Sequence, residues 1–234
     1  MRQLLAWLVH LYTALGLACA AAIAVLIVGG GDAAFRWSFF LMMVATAIDA
    51  TDGWLARKAR VREVLPAFDG SALDDLIDFH TYTSLPLLLI WRAGVLTDGT
   101  AWLLLLPLLA SAYGFSQVDA KTADGFFLGF PSYWNIVAFY LYVLGPPAPV
   151  AAAVLVVFSV LTFVRTPYIY ASKGGPFAWT MNIGAVVWFV LLGVVLGGPT
   201  HYSRVLAFFS LLYPAAYLGL SASVTIQRRA RESA

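Results

Sequence analysis

The sequence predicts an all-α, polytopic membrane helix bundle with about eight transmembrane helices and both termini cytoplasmic. Three observations lead there. Hydrophobic residues make up 62% of the 234-residue chain and charged residues only 11%, whereas a soluble domain carries roughly 25% charged residues. Eight apolar stretches, each near the roughly 20 residues a spanning helix needs, lie at about 6–28, 34–56, 70–91, 99–117, 131–146, 148–168, 176–197 and 202–224. Finally, Lys and Arg divide unevenly between alternate connections, and cytoplasmic loops are the ones enriched in basic residues.

In order along the chain, the stretches are punctuated by GGGD at 29–32, TDGT at 97–100, GPPAP at 145–149, SKGGP at 172–176 and GGPTH at 197–201. Gly and Pro clusters of this kind end helices. With the N-terminus inside, the inner set is Arg2, Arg57, Lys58, Arg60, Arg62, Lys121, Arg165, Lys173, Arg228, Arg229 and Arg231, against Arg36, Arg92 and Arg204 outside. The first stretch contains the lone cysteine, Cys19. Gly16 stands where a lipoprotein cleavage site takes an aliphatic residue, so a retained helix is expected there. No repeat, low-complexity run or soluble domain interrupts the chain, so residues 1–234 are expected to form one domain. The tail, 225–234, reads as a basic anchor on the inner face. The net charge of +2 gives no case for nucleic-acid binding, and a single cysteine excludes an internal disulfide and a Cys-rich metal site.

The chemistry concentrates between residues 49 and 78. Asp49 and Asp52 are three apart, Asp74 and Asp78 four apart, so on helices each pair shares a face. The second stretch ends inside with the first pair, and the third begins inside with the other. Antiparallel neighbours joined in this way bring all four acids to one depth near the cytoplasmic face. Axial separations of about 4.5 Å and 6 Å within the pairs suit a two-metal cluster with ions about 3.5–4 Å apart, and all-oxygen ligation favours Mg²⁺ or Mn²⁺. Gly53, Ala56 and Gly70 leave room for a ligand beside the backbones, and Arg57 is placed for a phosphate. Asp69 and Asp75 are explained by helix ends alone.

Asp49-x2-Asp52-Gly53-x2-Ala56-Arg57 followed by Gly70-x3-Asp74-x3-Asp78 resembles the signature of the CDP-alcohol phosphotransferases. Twelve residues, Lys58 to Asp69, separate the arginine from the second glycine. This is longer than the usual spacing and resembles one branch, the bacterial phosphatidylcholine synthases, as do FDGSALDDLIDFHTY and GFPSYWNIVAFYLY. The resemblance implies metal ligation by Asp49, Asp52, Asp74 and Asp78, with Asp78 also the general base. It implies CDP binding around Gly53, Ala56, Arg57 and Gly70. The implied reaction condenses CDP-diacylglycerol with choline, giving phosphatidylcholine and CMP. A homodimer in a bacterial inner membrane, its active site facing the cytoplasm, is implied likewise.

Choline carries a quaternary ammonium, which proteins hold against aromatic faces. Tyr82, one turn beyond Asp78, and Tyr133 and Trp134, at the start of the fifth stretch, are the candidate rings; belt or packing roles explain each of them too. Arg165 and Lys173 fit either phosphate contact or positive-inside placement. His80 is expected to point away from the acids, and His10 and His201 form no cluster. Asn135 and Asn182 read as inter-helix hydrogen-bonding residues. Two alternatives remain: the same chemistry on serine, glycerol phosphate or an inositol phosphate, and a divalent-cation transporter. The inner face offers few cations for an anionic acceptor, and the acids occupy one hairpin without the repeated halves common in transporters.

Overall fold

The computed structural model describes residues 1–119, 122, 126–169 and 178–232. Lys121, Asp124, Lys173 and the SKGGP turn lie outside them, as do the side chains of His201, Arg228, Arg229 and Arg231. Helix falls on all eight apolar stretches. In chain order the elements are α1 (Arg2–Gly29), α2 (Asp32–Lys58), α3 (Val61–Val64), α4 (Gly70–Asp78), a π-helical turn (Phe79–Ser84), α5 (Leu85–Arg92) and a 3-10 segment (Asp98–Leu104). There follow α6 (Leu105–Phe115), β1 (Phe126–Leu128), α7 (Trp134–Leu144), α8 (Ala148–Phe163), β2 (Pro167–Ile169), α9 (Ala178–Gly197), α10 (Thr200–Ser210) and α11 (Leu212–Glu232).

Among the described residues four helices are long and apolar enough to cross a membrane: Arg2–Gly29, Asp32–Lys58, Trp179–Gly197 and Tyr202–Ile226. The remaining stretches are built from shorter pieces, and prolines explain several breaks. Pro86 cannot donate to the carbonyl of Tyr82, and the third stretch takes up the missing bond as a π turn. Within the Tyr202–Ile226 span Pro214 likewise cannot donate to Ser210, and α10 gives way to α11 there. The sixth stretch, expected to stay helical to residue 168, stops at Phe163. Pro167 disfavours helix at Thr166, and Pro167–Ile169 instead pairs antiparallel with Phe126–Leu128, Phe127 opposite Tyr168. A two-stranded sheet is therefore added to the expected all-α architecture.

Two compact units are distinguishable: Met1–Ala93 with Trp134–Phe139, and Gly94–Tyr133 with Tyr140–Ala234. In the first unit α1 and α2 form a hairpin around Gly30 and Gly31, at φ 72° and 92°, a left-handed region that favours glycine. The buried face of α1 runs through Ala6, Val9, His10, Thr13, Gly16, Ala20, Ile23 and Ile27, a helical period of three and four. Its other face, including Leu4, Leu8, Leu11 and Val25, is apolar and exposed, as lipid contact requires. Gly16 lets α4 approach, since a Cβ there would stand 2.7 Å from Ile77 Cγ2. In lipid, such contacts stabilise by close van der Waals packing more than by release of water. Phe39 meets Phe139 edge-on at 5.6 Å, and Asn135 Nδ2 donates to Thr46 Oγ1 at 3.4 Å, the inter-helix role expected of it.

In the second unit, Trp188 Nε1 donates to the Tyr140 hydroxyl at 2.9 Å, which in turn bonds Ser210 Oγ at 2.8 Å. Ser221 Oγ accepts from Ile169 N and Thr225 Oγ1 donates to Pro167 O, both at 3.2 Å, tying α11 to β2. Arg165 pairs with Asp119.

Candidate metal centre

Three of the four acids converge. One carboxylate oxygen each from Asp49, Asp74 and Asp78 lies within 4.8 Å of the others, and all three residues are half-buried. The local structure follows from the sequence. Asp69 caps α4, its carboxylate accepting from the backbone N–H groups of Ser71 and Ala72 at 3.0 and 3.1 Å, which is an N-cap role and not a ligand role. With α4 started at Gly70, Asp74 and Asp78 rise on one face towards Asp49 of α2. The connection between the helices folds through α3, with Arg60 left-handed at φ 50°. Its cations find local partners: Arg62 Nη2 donates to Ser71 Oγ at 3.0 Å, Arg60 lies 3.9 Å from Glu63, and the Lys58 ammonium sits 4.8 Å from the Trp54 ring centre.

The donor set fits a hard divalent cation. For metal–oxygen bonds of about 2.1 Å, octahedral ligand oxygens lie about 3 Å apart along an edge and about 4.2 Å apart across the ion; the three oxygens here lie within 4.8 Å of one another. Three carboxylates this near also repel, and a cation between them removes the repulsion.

Asp52 stands apart from this group. It is 6% exposed, and its Oδ2 accepts from Thr13 Oγ1 of α1 at 2.8 Å. One residue along, the hydroxyls of Tyr12 and Thr51 bond at 2.8 Å. Asp49 has its own support, because the Tyr82 hydroxyl donates to Asp49 Oδ2 at 2.7 Å.

The four positions expected around CDP have different surroundings. A Cβ on Gly53 would lie 3.4 Å from Arg57 Nη1, so the Arg57 side chain folds back over Gly53. Ala56 packs on the small apolar cluster of Ala6, Val9 and Val61. Gly70 faces His10: a Cβ there would stand 2.6 Å from His10 Cε1. Of the candidate choline rings, Tyr82 is buried with its hydroxyl on Asp49, Trp134 is fully buried in the first unit, and Tyr133 belongs to the second. His80 is exposed.

Sequence reading set His10 aside as part of no cluster and did not single out Thr13; the structure brings His10 against Gly70 and Thr13 to Asp52. His10 is 7% exposed, and its Nε2 has no hydrogen-bond partner among the described residues. An orphaned buried polar group of this kind costs about 1–3 kcal/mol. The available signal was two polar residues three apart on an otherwise apolar membrane helix, which is by itself a reason to suspect function.

Fold and site together define a multi-pass membrane protein with an acidic centre able to hold a divalent cation. No family model matches the chain. Among curated proteins, it is 36% identical over 194 residues to a phosphatidylcholine synthase of Pseudomonas aeruginosa, covering 82% of this chain and 79% of that one. It is 39% identical over 170 residues to the phosphatidylcholine synthase of Legionella pneumophila (72% and 66% covered) and 38% identical over 141 residues to that of Legionella bozemanae (59% and 65%). The chain thus spans just under two thirds of the length of the two Legionella relatives. It belongs to the phosphatidylcholine synthase family.

Proposed function

We propose that this protein transfers the phosphatidyl group of CDP-diacylglycerol to choline, forming phosphatidylcholine and releasing CMP. The convergence of Asp49, Asp74 and Asp78 within 4.8 Å, in a member of this family and within a CDP-alcohol phosphotransferase signature, carries the reading. Asp49, Asp74 and Asp78 hold a divalent ion, Mn²⁺ or Mg²⁺, and Asp52 contributes to a second. When bound, the ions neutralise the charge of the diphosphate and of the departing CMP.

The chain's own residues do the rest. Gly53, Ala56, Arg57 and Gly70 frame the CDP portion, with the Arg57 guanidinium matched to phosphate oxygens. Asp78 accepts the proton of the choline hydroxyl. The choline oxygen bonds to the lipid-side phosphorus, the phosphoanhydride bond breaks, and CMP leaves with the bridging oxygen's electron pair. The displacement is direct, with no covalent intermediate on the protein. The protein crosses a bacterial inner membrane eight times with both termini and the active site cytoplasmic, and it works as a homodimer.

Membranes containing the protein, given CDP-diacylglycerol, Mn²⁺ or Mg²⁺, and labelled choline, serine or glycerol phosphate in parallel, test the reaction. Label is expected to pass from choline into lipid and to be lost with EDTA or Asp74→Ala. Label from another alcohol alone would keep the chemistry and change the acceptor. No label from any of them would remove CDP-diacylglycerol as donor. The choline ring is read from the KM for choline after single substitutions of Tyr82, Tyr133 and Trp134.

A further inference from the structure

We propose that His10 is a substrate-contacting residue whose Nε2 hydrogen-bonds the nucleoside part of the CDP-linked donor beside the first turn of α4, an assignment that rests on the phosphotransferase reading above. His10 is the residue on the buried face of α1 whose polar group is left over. One turn on, Thr13 is engaged by Asp52; two turns on, Gly16 receives Ile77; Val9 lies in an apolar cluster with Ala6 and Val61. The His10 ring is as buried as its neighbours, at 7% exposure, yet its Nε2 has no partner among the described residues. A residue kept only for packing at this point would do better as Phe or Leu.

The imidazole's location says what it serves. It occupies the space that any side chain at position 70 would fill, with Cε1, Nδ1 and Nε2 at 2.6, 3.1 and 3.8 Å from a Cβ built on Gly70. His10 and Gly70 therefore form one feature, and the ring walls the nucleotide side of α4. Gly70 lies one helical turn, about 6 Å, from Asp74, roughly the reach from a diphosphate held at the acids to its nucleoside.

Chemistry narrows the contact further. On that reading, phosphate charge would be met by Arg57 and by ions held at the acids. An imidazole offers a donor and an acceptor nitrogen, suited to the edge of a base or to ribose hydroxyls. Beside it stand the Phe68 ring at 4.4 Å and the Trp7 ring at 5.8 Å, both substantially exposed, which supply flat surface for a heteroaromatic ring. Because Nε2 is buried, its engagement requires a neighbouring side chain to shift, and the Phe68 ring in the turn ahead of α4 lies 4.4 Å from the imidazole.

Full-length protein purified in detergent, with Mn²⁺ present, tests this by titration with CMP and by steady-state kinetics. His10→Phe keeps a ring against Trp7 and Phe68 but removes both nitrogens. It is expected to weaken CMP binding about tenfold, the worth of one well-made hydrogen bond. The KM for CDP-diacylglycerol should rise by a similar factor, while the KM for choline and inhibition by pyrophosphate stay unchanged. His10→Gln, which retains a donor and an acceptor, should recover part of the loss. A folded His10→Phe protein that binds CMP as the wild type does would reduce His10 to a packing residue and overturn the assignment. Wild-type protein that binds no CMP would overturn it together with the reaction, and that outcome is visible before any variant is made.

Discussion

Tyr82 donates a hydrogen bond of 2.7 Å to Asp49 Oδ2, joining the π-helical turn to α2 across 33 residues of sequence. The Asp49 carboxylate of the candidate metal centre is thereby oriented by a buried ring. Hydrogen bonds to charged groups contribute about 1.5–3 kcal/mol. Tyr82→Phe is therefore expected to cut turnover between about tenfold and a hundredfold and to raise the Mn²⁺ concentration needed for half-maximal activity. Unchanged metal dependence in the Phe variant would mean that the ring matters for packing alone.

Asp52 depends in the same way on Thr13. Thr13→Val preserves the shape of the side chain and leaves a buried carboxylate without its 2.8 Å donor. Loss of about tenfold in activity is expected, with Thr13→Ser close to wild type. Equal activity in the Val and Ser proteins would separate Asp52 from its helix-1 support.

Gly70→Ala puts a Cβ 2.6 Å from His10 Cε1. Overpacking of this kind costs about 1–3 kcal/mol, seen as a lower melting temperature in detergent. His10→Ala combined with Gly70→Ala should recover much of it. Additive losses in the double variant would show that the two side chains do not compete for the same space.

Asp78→Asn is isosteric and removes the proposed proton acceptor. Transfer is expected to fall at least a hundredfold, in the upper range for a positioned general base, while CMP binding survives. A turnover near wild type would assign the proton elsewhere. Chelation with EDTA should abolish transfer and Mn²⁺ should restore it.

Trp134 is fully buried in the first unit. Trp134→Ala is therefore expected to lower stability by about 3–5 kcal/mol, read as a shift in thermal unfolding. A stable Trp134→Ala protein with a raised KM for choline would instead make this ring part of the acceptor pocket.

Much of the fold was legible because hydropathy and helix length are local properties. Helix on the apolar stretches, the breaks at Gly30, Gly145 and Pro199, and the shared face of Asp74 and Asp78 follow from that. Asp69 was readable as a helix-end residue for the same reason. The end of α8 at Phe163 and the strand pair Phe126–Leu128 with Pro167–Ile169 were missed, because apolar composition hides a change from helix to strand; Pro167 was the local sign.

By itself, the sequence determined the membrane class, the acidic hairpin and the spacing that places Asp74 and Asp78 on one face. Tertiary structure alone decided which acids meet: Asp49 joins the pair on α4, while Asp52 turns to Thr13. It also decided that Gly70 faces His10 and that Tyr82 serves Asp49. The reason is physical. Periodicity along one helix specifies a face, but the partner of that face is set by how α1, α2 and α4 pack, and no spacing within a single segment encodes the distance between two.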